Sequence, residues 1–102
     1  MSSENLHEQS SDLSNRTKDL HRAIVSLIEE LEAVDWYNQR AEACDDISLK
    51  DILIHNRDEE KEHAAMLVEY IRRQDPEFSH ELHSYLFTET PIVKLEDHAG
   101  AG

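Results

Sequence analysis

Glycine is almost absent from this sequence. Among its 102 residues, the two glycines, Gly100 and Gly102, lie in the last three positions, so residues 1–99 contain none. A sheet-rich chain of this length would normally need glycine in its tight turns. The composition therefore argues against a β-rich fold and favours an all-α one.

Cysteine and long apolar runs are also scarce. The single cysteine, Cys44, cannot form an intramolecular disulfide, and no apolar run approaches the ~18 residues that a transmembrane helix requires. The opening residues, MSSENLHEQSS, are polar and lack the apolar core of a secretion signal. We therefore expect a cytoplasmic protein.

Basic residues are outnumbered by acidic ones. The chain has 23 Asp and Glu against 10 Lys and Arg, a formal net charge of -13. This charge repels phosphate backbones and anionic lipids and attracts cations. We expect neither a nucleic acid nor a membrane partner, and we expect metal cations as ligands. A hydrophobic content of 38% is small for a lone monomer of this length, which favours a partner subunit.

The first helix is predicted from Leu13 to about Ala43. It carries one apolar stripe at three- and four-residue steps, formed by Leu20, Ile24, Leu27, Leu31 and Val34. The residues before it, 1–12, are polar and predict a flexible N-terminal arm. Residues 13–93 are predicted to form the helical domain, and residues 94–102 a disordered C-terminal tail.

A second helix is predicted to begin near Ser48, which resembles the start of a capping box with Asp51 three residues later. It runs to about Gln74, before Pro76, because a proline moves the preceding residue out of helical geometry. A shorter third helix is predicted over residues 77–87.

The first two helices are joined by about four residues, which predicts an antiparallel hairpin. A hairpin buries only the face between its helices. A second copy would cover the remaining apolar surface and give a two-fold symmetric four-helix bundle of the ferritin-like kind.

Three side chains are predicted to meet in this hairpin. At ~100° per residue, Glu60 and His63 fall in the middle of the apolar face of the second helix, and Glu30 at the edge of the stripe on the first. Counted from a turn near residue 46, all three lie on the order of 24 Å along the hairpin. Charged groups in an apolar setting need partners, so we expect the three to converge.

These residue types suggest a di-iron site. Di-iron carboxylate proteins use a Glu from each of two helices and a Glu-x-x-His from each of the other two. This chain holds half of that set in Glu30, Glu60 and His63, and a symmetric dimer would supply the other half. The spacing alone is weak, because residues 4–7 and 77–80 also read Glu-x-x-His. A buried ion pair that only fixes helix register is the alternative.

A second acidic group lies on the opposite side of the first helix. Val25, Glu29, Glu32 and Trp36 form their own stripe there. The simplest interpretation is a solvated carboxylate pair beside a tryptophan that packs on a neighbouring subunit. A cation attraction site outside the main centre is the other interpretation.

Three segments resemble the encapsulated ferritins, the ferritin-like cargo proteins of encapsulin nanocompartments. They read HRAIVSLIEELEAVDWYNQRAEA, ILIHNRDEEKEHAAMLVEYIRR and SYLFTETPI, and the likeness covers about residues 20–93. The run EELEAVDWY at 29–37 is especially specific. The resemblance implies a ferroxidase that oxidises Fe(II) with a dioxygen-derived oxidant and leaves storage of the product to the shell.

The resemblance also implies roles for individual residues. It assigns two irons per dimer interface to Glu30, Glu60 and His63, and places Tyr37 beside that catalytic site. It assigns an outer site for iron or other divalent cations to Glu29 and Glu32, near Trp36.

The resemblance implies partners as well: a homodimer that assembles into a ring-shaped decamer, and an encapsulin shell protein around it. Family members usually end in a shell-docking peptide with Gly, Leu and Arg, which residues 98–102 do not contain. The alternative function is a non-catalytic helical assembly protein that binds iron, manganese or zinc.

Overall fold

The computed structural model describes residues 6–96, and no β-strand occurs in that range. Two long helices, α1 (Asn15–Ala43) and α2 (Ile47–Gln74), pack against each other as an antiparallel hairpin, and a short helix, α3 (Pro76–Tyr85), packs on α2. The all-α fold is confirmed. Over the same range, no helix combines the length and the apolar character that a membrane crossing needs.

The start of α1 is fixed by a serine cap. The Ser14 hydroxyl accepts a hydrogen bond of 3.1 Å from the backbone N–H of Thr17, which satisfies one of the free donors of the first turn. The helix therefore begins at Asn15, two residues later than predicted, and it ends at Ala43 as predicted.

The predicted capping box at Ser48 is wrong. The Asp46 carboxylate accepts a 2.9 Å hydrogen bond from the backbone N–H of Leu49, so α2 begins at Ile47 and Ser48 lies inside its first turn. Asp46 stands earlier in the chain and is as good a cap as serine. The loop between α1 and α2 is therefore three residues long, Cys44 to Asp46.

The third helix is shifted from its predicted position. Asp75 accepts a 3.1 Å hydrogen bond from the backbone N–H of Phe78, and Pro76 occupies the first position of α3, where its missing N–H costs nothing. Pro76 thus separates α2 from α3 as well as starting α3. The helix ends at Tyr85, two residues before the predicted end at Phe87, whose φ of 58° is incompatible with an α-helix.

Short 3₁₀ turns flank the three helices, at Ser10–Asp12 and Ile92–Lys94. The predicted disordered tail starts at residue 94, and in the structure Lys94 ends a 3₁₀ turn and Leu95 is buried. The rest of the predicted tail, 97–102, and the first five residues of the predicted arm lie outside the described residues. The division at residues 12 and 93 otherwise stays a prediction.

A single hairpin buries little. Between residues 6 and 96, the buried apolar side chains are Ala23, Ala41, Ala64, Ile71 and Leu95. Large apolar side chains such as Leu31, Ile52 and Met66 are more than half exposed. Exposed apolar surface of this kind is typical of a subunit interface. It supports the predicted pairing of two copies, which stays a prediction.

Candidate metal centre

The hairpin brings together one carboxylate from α1 and a carboxylate and an imidazole from α2. Donor atoms of Glu30, Glu60 and His63 all lie within 4.8 Å of one another. Glu60 and His63 share one side of α2 because they are three residues apart. Glu30 reaches the same level because the three-residue loop holds α1 antiparallel to α2. The convergence that the sequence indicated is present, and metal binding by these residues stays a prediction.

The imidazole stands between the two carboxylates. His63 Nδ1 lies 3.6 Å from Glu30 Oε2 and 3.6 Å from Glu60 Oε2. These distances are longer than a hydrogen bond between the same atoms would be. The three side chains are therefore close together without hydrogen bonds among them, which leaves their donor atoms available to a cation.

The group opens on one side of the hairpin. The Glu30 and Glu60 side chains are each 25% exposed, whereas that of His63 is 46% exposed. His63 is thus more exposed in one chain than the two carboxylates, and its predicted place in the middle of the apolar face stays a prediction. A molecule that docks on this face can therefore reach the imidazole.

One oxygen of the group is buried and unsatisfied. Glu30 Oε2 is out of contact with solvent and has no hydrogen-bond partner among the described residues. A buried carboxylate oxygen without a donor costs free energy, and a bound cation or a donor from another subunit removes that cost.

Tyr37 does not belong to this group within one chain. It follows Glu30 by seven residues on the same side of α1, about 10 Å along the helix axis. Its half-buried ring lies 5.5 Å from the Arg40 guanidinium carbon, measured to the ring centroid. A role for Tyr37 in the chemistry stays a prediction.

The outer acidic group lies elsewhere on α1. Glu29 is exposed, Glu32 is half-buried, and Trp36 is 50% exposed. In residues 6–96, Glu29 and Glu32 are not joined by a third acidic, histidine or cysteine donor. One chain alone thus offers two carboxylates there, and an outer cation site stays a prediction.

The sequence did not indicate a polar link close to the metal group. Arg57 on α2, three residues before Glu60, donates a 3.1 Å hydrogen bond from Nη1 to Oδ1 of Asn38 on α1. Its Nε donates a 3.0 Å bond to Asp58, and this bond holds the pKa of the Asp58 carboxyl below its usual range. The depth count that aligned the carboxylates also brings Asn38 and Arg57 to similar levels, and could have indicated the pair.

A second polar cluster joins α2 to α3. The Glu69 carboxylate accepts hydrogen bonds of 2.7 Å from Arg72 and 2.6 Å from Arg73, which lower the pKa of Glu69 to about 2. Arg72 also donates a 3.1 Å bond to the Ser79 hydroxyl on α3. These contacts fix the third helix and lie away from the metal group.

Comparison with known proteins identifies the family. The sequence pattern of the EncFtn-like family matches residues 5–89. The chain belongs to the EncFtn-like family. Membership supports a ferritin-like, iron-related function and confirms the resemblance seen in the sequence.

The curated relatives agree with this assignment. The chain is similar to an encapsulated ferritin-like protein of Rhodospirillum rubrum, with 55% identity over 99% of this chain and 74% of the relative. It is 48% identical to a ferritin-like protein of Thermotoga maritima, over 94% of this chain and 84% of the relative. An encapsulin nanocompartment cargo protein of Myxococcus xanthus is 47% identical over 58% of this chain and 46% of its own length.

The EncFtn-like fold is also found in a solved structure. A crystal structure of a protein from Nitrosomonas europaea matches with a TM-score of 0.83 and 65% sequence identity. The match covers 86% of this chain and 97% of that one. The protein from Nitrosomonas europaea thus has the same fold as this chain.

Proposed function

We propose that this EncFtn-like chain is a ferroxidase whose two-iron site forms from Glu30, Glu60 and His63 of two copies. The observation that carries the proposal is the Glu30 Oε2 atom, buried and without a hydrogen-bond partner beside two further donors. Such an arrangement is unfavourable when empty and becomes favourable when a cation binds.

The donor set favours iron or manganese over a structural zinc ion. Carboxylate oxygens with one imidazole suit iron or manganese, whereas structural zinc sites favour cysteine and histidine. One copy supplies three donors, which leaves an iron ion under-coordinated. Two copies supply four carboxylates and two imidazoles, which is the donor set that di-iron carboxylate bundles use. The exposed edge of His63 is where the second copy would approach.

The residues would have separate tasks in the reaction. Four carboxylates carry a formal charge of about -4, which two Fe(II) ions would neutralise at a site where water solvates charge poorly. Each Fe(II) then loses one electron, and dioxygen accepts the two electrons with two protons. Hard oxygen donors favour the more highly charged Fe(III), so the carboxylates stabilise the oxidised product. Tyr37 would act beside the paired site rather than as a ligand.

An outer cation site belongs to the same proposal. Glu29 is exposed and Glu32 is half-buried, and the two carboxylates would attract Fe(II) before it reaches the central site. The two carboxylates need further donors from a neighbouring copy, and the half-exposed Trp36 nearby would pack there.

The relatives suggest where the product goes. Their names describe one as encapsulated and another as an encapsulin nanocompartment cargo protein. We propose that this chain likewise works inside an encapsulin shell, where Fe(III) would be stored, and that its copies assemble into the ring that the resemblance implies.

Oxygen consumption tests the proposed activity. Fe(II) added to the protein in air should consume oxygen with about one dioxygen for each pair of irons, as a two-electron reduction requires. Zinc bound first should block it, because Zn²⁺ occupies the ligands without redox chemistry. Tight Fe(II) binding without oxygen uptake above the buffer rate would favour the alternative, a metal-binding assembly protein.

A further inference from the structure

The candidate site depends on the axial position of α1 against α2. Glu30 comes from one helix and the Glu60–His63 pair from the other, and their donor atoms lie within 4.8 Å. A slip of one residue would move a ligand by ~1.5 Å along the axis and turn it by ~100°. Some feature of the hairpin must therefore fix the register.

Apolar packing fixes this register poorly. The buried positions are Ala23 and Ala41 on α1, and Ala64 and Ile71 on α2. Ala64 directly follows His63, whereas Ile71, the large side chain among the four, lies eight residues beyond it. Alanine methyl groups form low ridges, so they allow the two helices to lie close together without interlocking strongly. Directional polar contacts between the helices are better suited to the task.

One such contact lies close to the metal group. The Arg57 guanidinium is held on both sides, by the 3.1 Å bond to Asn38 and the 3.0 Å bond to Asp58. Its side chain is only 23% exposed. Lys61 Nζ lies 3.4 Å from the same Asp58 oxygen and helps to hold the carboxylate in place. The planar fork of arginine keeps these bonds in fixed directions, as a flexible amine would not.

The position of this contact leaves the metal-binding face free. Arg57 and His63 are six residues apart and therefore point about 120° apart around α2. A second copy could dock on the His63 side without disturbing the Arg57 bond. At the end of the hairpin opposite the loop, the two helices are joined by another hydrogen bond, from the Arg16 guanidinium to the backbone carbonyl of Gln74.

We infer that Asn38, Arg57 and Asp58 form a positioning clip that sets the register of Glu30 against Glu60 and His63. The inference rests on the proposed function, since it assigns these residues an effect on the metal site. They do not bind the metal. Asp58 balances the arginine charge, so the clip adds little net positive charge one turn from Glu60.

Asn38→Ala tests the clip with Co(II) as the probe metal. The substitution removes the acceptor of the Arg57 bond, and alanine favours the helix more than asparagine, so folding is preserved. We expect Co(II) affinity to fall by up to about 10-fold, the lower end of the loss seen when a group hydrogen-bonded to a metal ligand is removed, because Asn38 acts on the ligands only through the helix register. The visible absorption bands of bound Co(II) should also change, which a uniform loss of stability would not cause.

Two further variants make the test specific. Gln39→Ala removes the neighbouring amide, whose 3.1 Å bond to Asp35 stays within α1, and should behave as wild type. Asn38→Asp keeps an oxygen acceptor for Arg57 and should restore the wild-type Co(II) spectrum. Equal affinity and spectra in Asn38→Ala and Gln39→Ala overturn the clip, as does an Asn38→Asp variant no better than Asn38→Ala. If the Glu60→Gln variant binds Co(II) as tightly as the wild-type protein does, the proposed function itself is refuted.

Discussion

Replacing Glu60 by glutamine removes a charge from the candidate site and leaves its shape intact. Glu60 Oε2 lies 3.6 Å from His63 Nδ1, and the glutamine amide fills the same volume. Two copies build the site, so this one substitution changes two of its donors. The carboxylates then offset only half of the charge that two Fe(II) ions bring.

The expected effect on Fe(II) oxidation is large. Loss of outer-shell partners alone costs about 10–100-fold in metal affinity or activity, so loss of two direct donors should slow oxidation by at least about 100-fold. Stopped-flow absorbance after mixing anaerobic Fe(II) protein with oxygen measures the rate. Glu30→Gln and His63→Ala should show losses of similar size.

Glu59→Gln is the matched control. It makes the same change one residue earlier, on a side chain that is 47% exposed and lies 3.6 Å from His55 outside the metal group. It should oxidise Fe(II) at the wild-type rate. If Glu60→Gln were as fast as Glu59→Gln, the assignment of the site would be refuted.

Three further expectations concern capture, assembly and pH. Replacing both Glu29 and Glu32 by alanine should slow Fe(II) capture in stopped-flow traces while crystals still show iron at the central site; an empty centre would contradict an outer role. Protein freed of metal by a chelator should be mainly monomer or weak dimer in native mass spectrometry. Added Fe(II) should shift it to larger assemblies, because metal binds the paired state better than the separate chains. If the mass spectra with and without Fe(II) were identical, packing alone would hold the assembly. Arg72 and then Arg73 depress the pKa of Glu69 from 4.5 to about 2, so its stabilising contribution is present above pH 4.5 and disappears as pH falls toward 2. In a plot of melting temperature against pH, Glu69→Gln should reduce the fall that occurs below pH 4.5. An equally steep fall in the variant would rule the contribution out.

The hairpin and the convergence of its three donors could be predicted because both depend on regular geometry. A 3.6-residue period places apolar residues on one face, and a short loop forces antiparallel neighbours, so a residue count gives the level of Glu30, Glu60 and His63. None of these steps needs knowledge of side-chain conformations.

The remaining features depend on local competition that a period does not encode. Asp46 and Ser48 both suit an N-cap, and the earlier one caps α2. A helical period gives the direction of the His63 side chain but not the neighbour that covers it. Its exposure could therefore not be predicted from the sequence. The depth count brings Asn38 and Arg57 to similar levels but does not select the bond between them, because a long arginine side chain can reach several partners.

Iron-edge anomalous diffraction tests the central claim most directly, because it reports the metal, its ligands and the pairing of copies together. We predict two iron peaks about 3.5–4 Å apart, as in other two-metal sites, on the boundary between two copies. Glu30, Glu60 and His63 of both copies should surround them. Iron bound by the residues of one copy alone, or no iron at this group in crystals that hold iron elsewhere, would contradict the account.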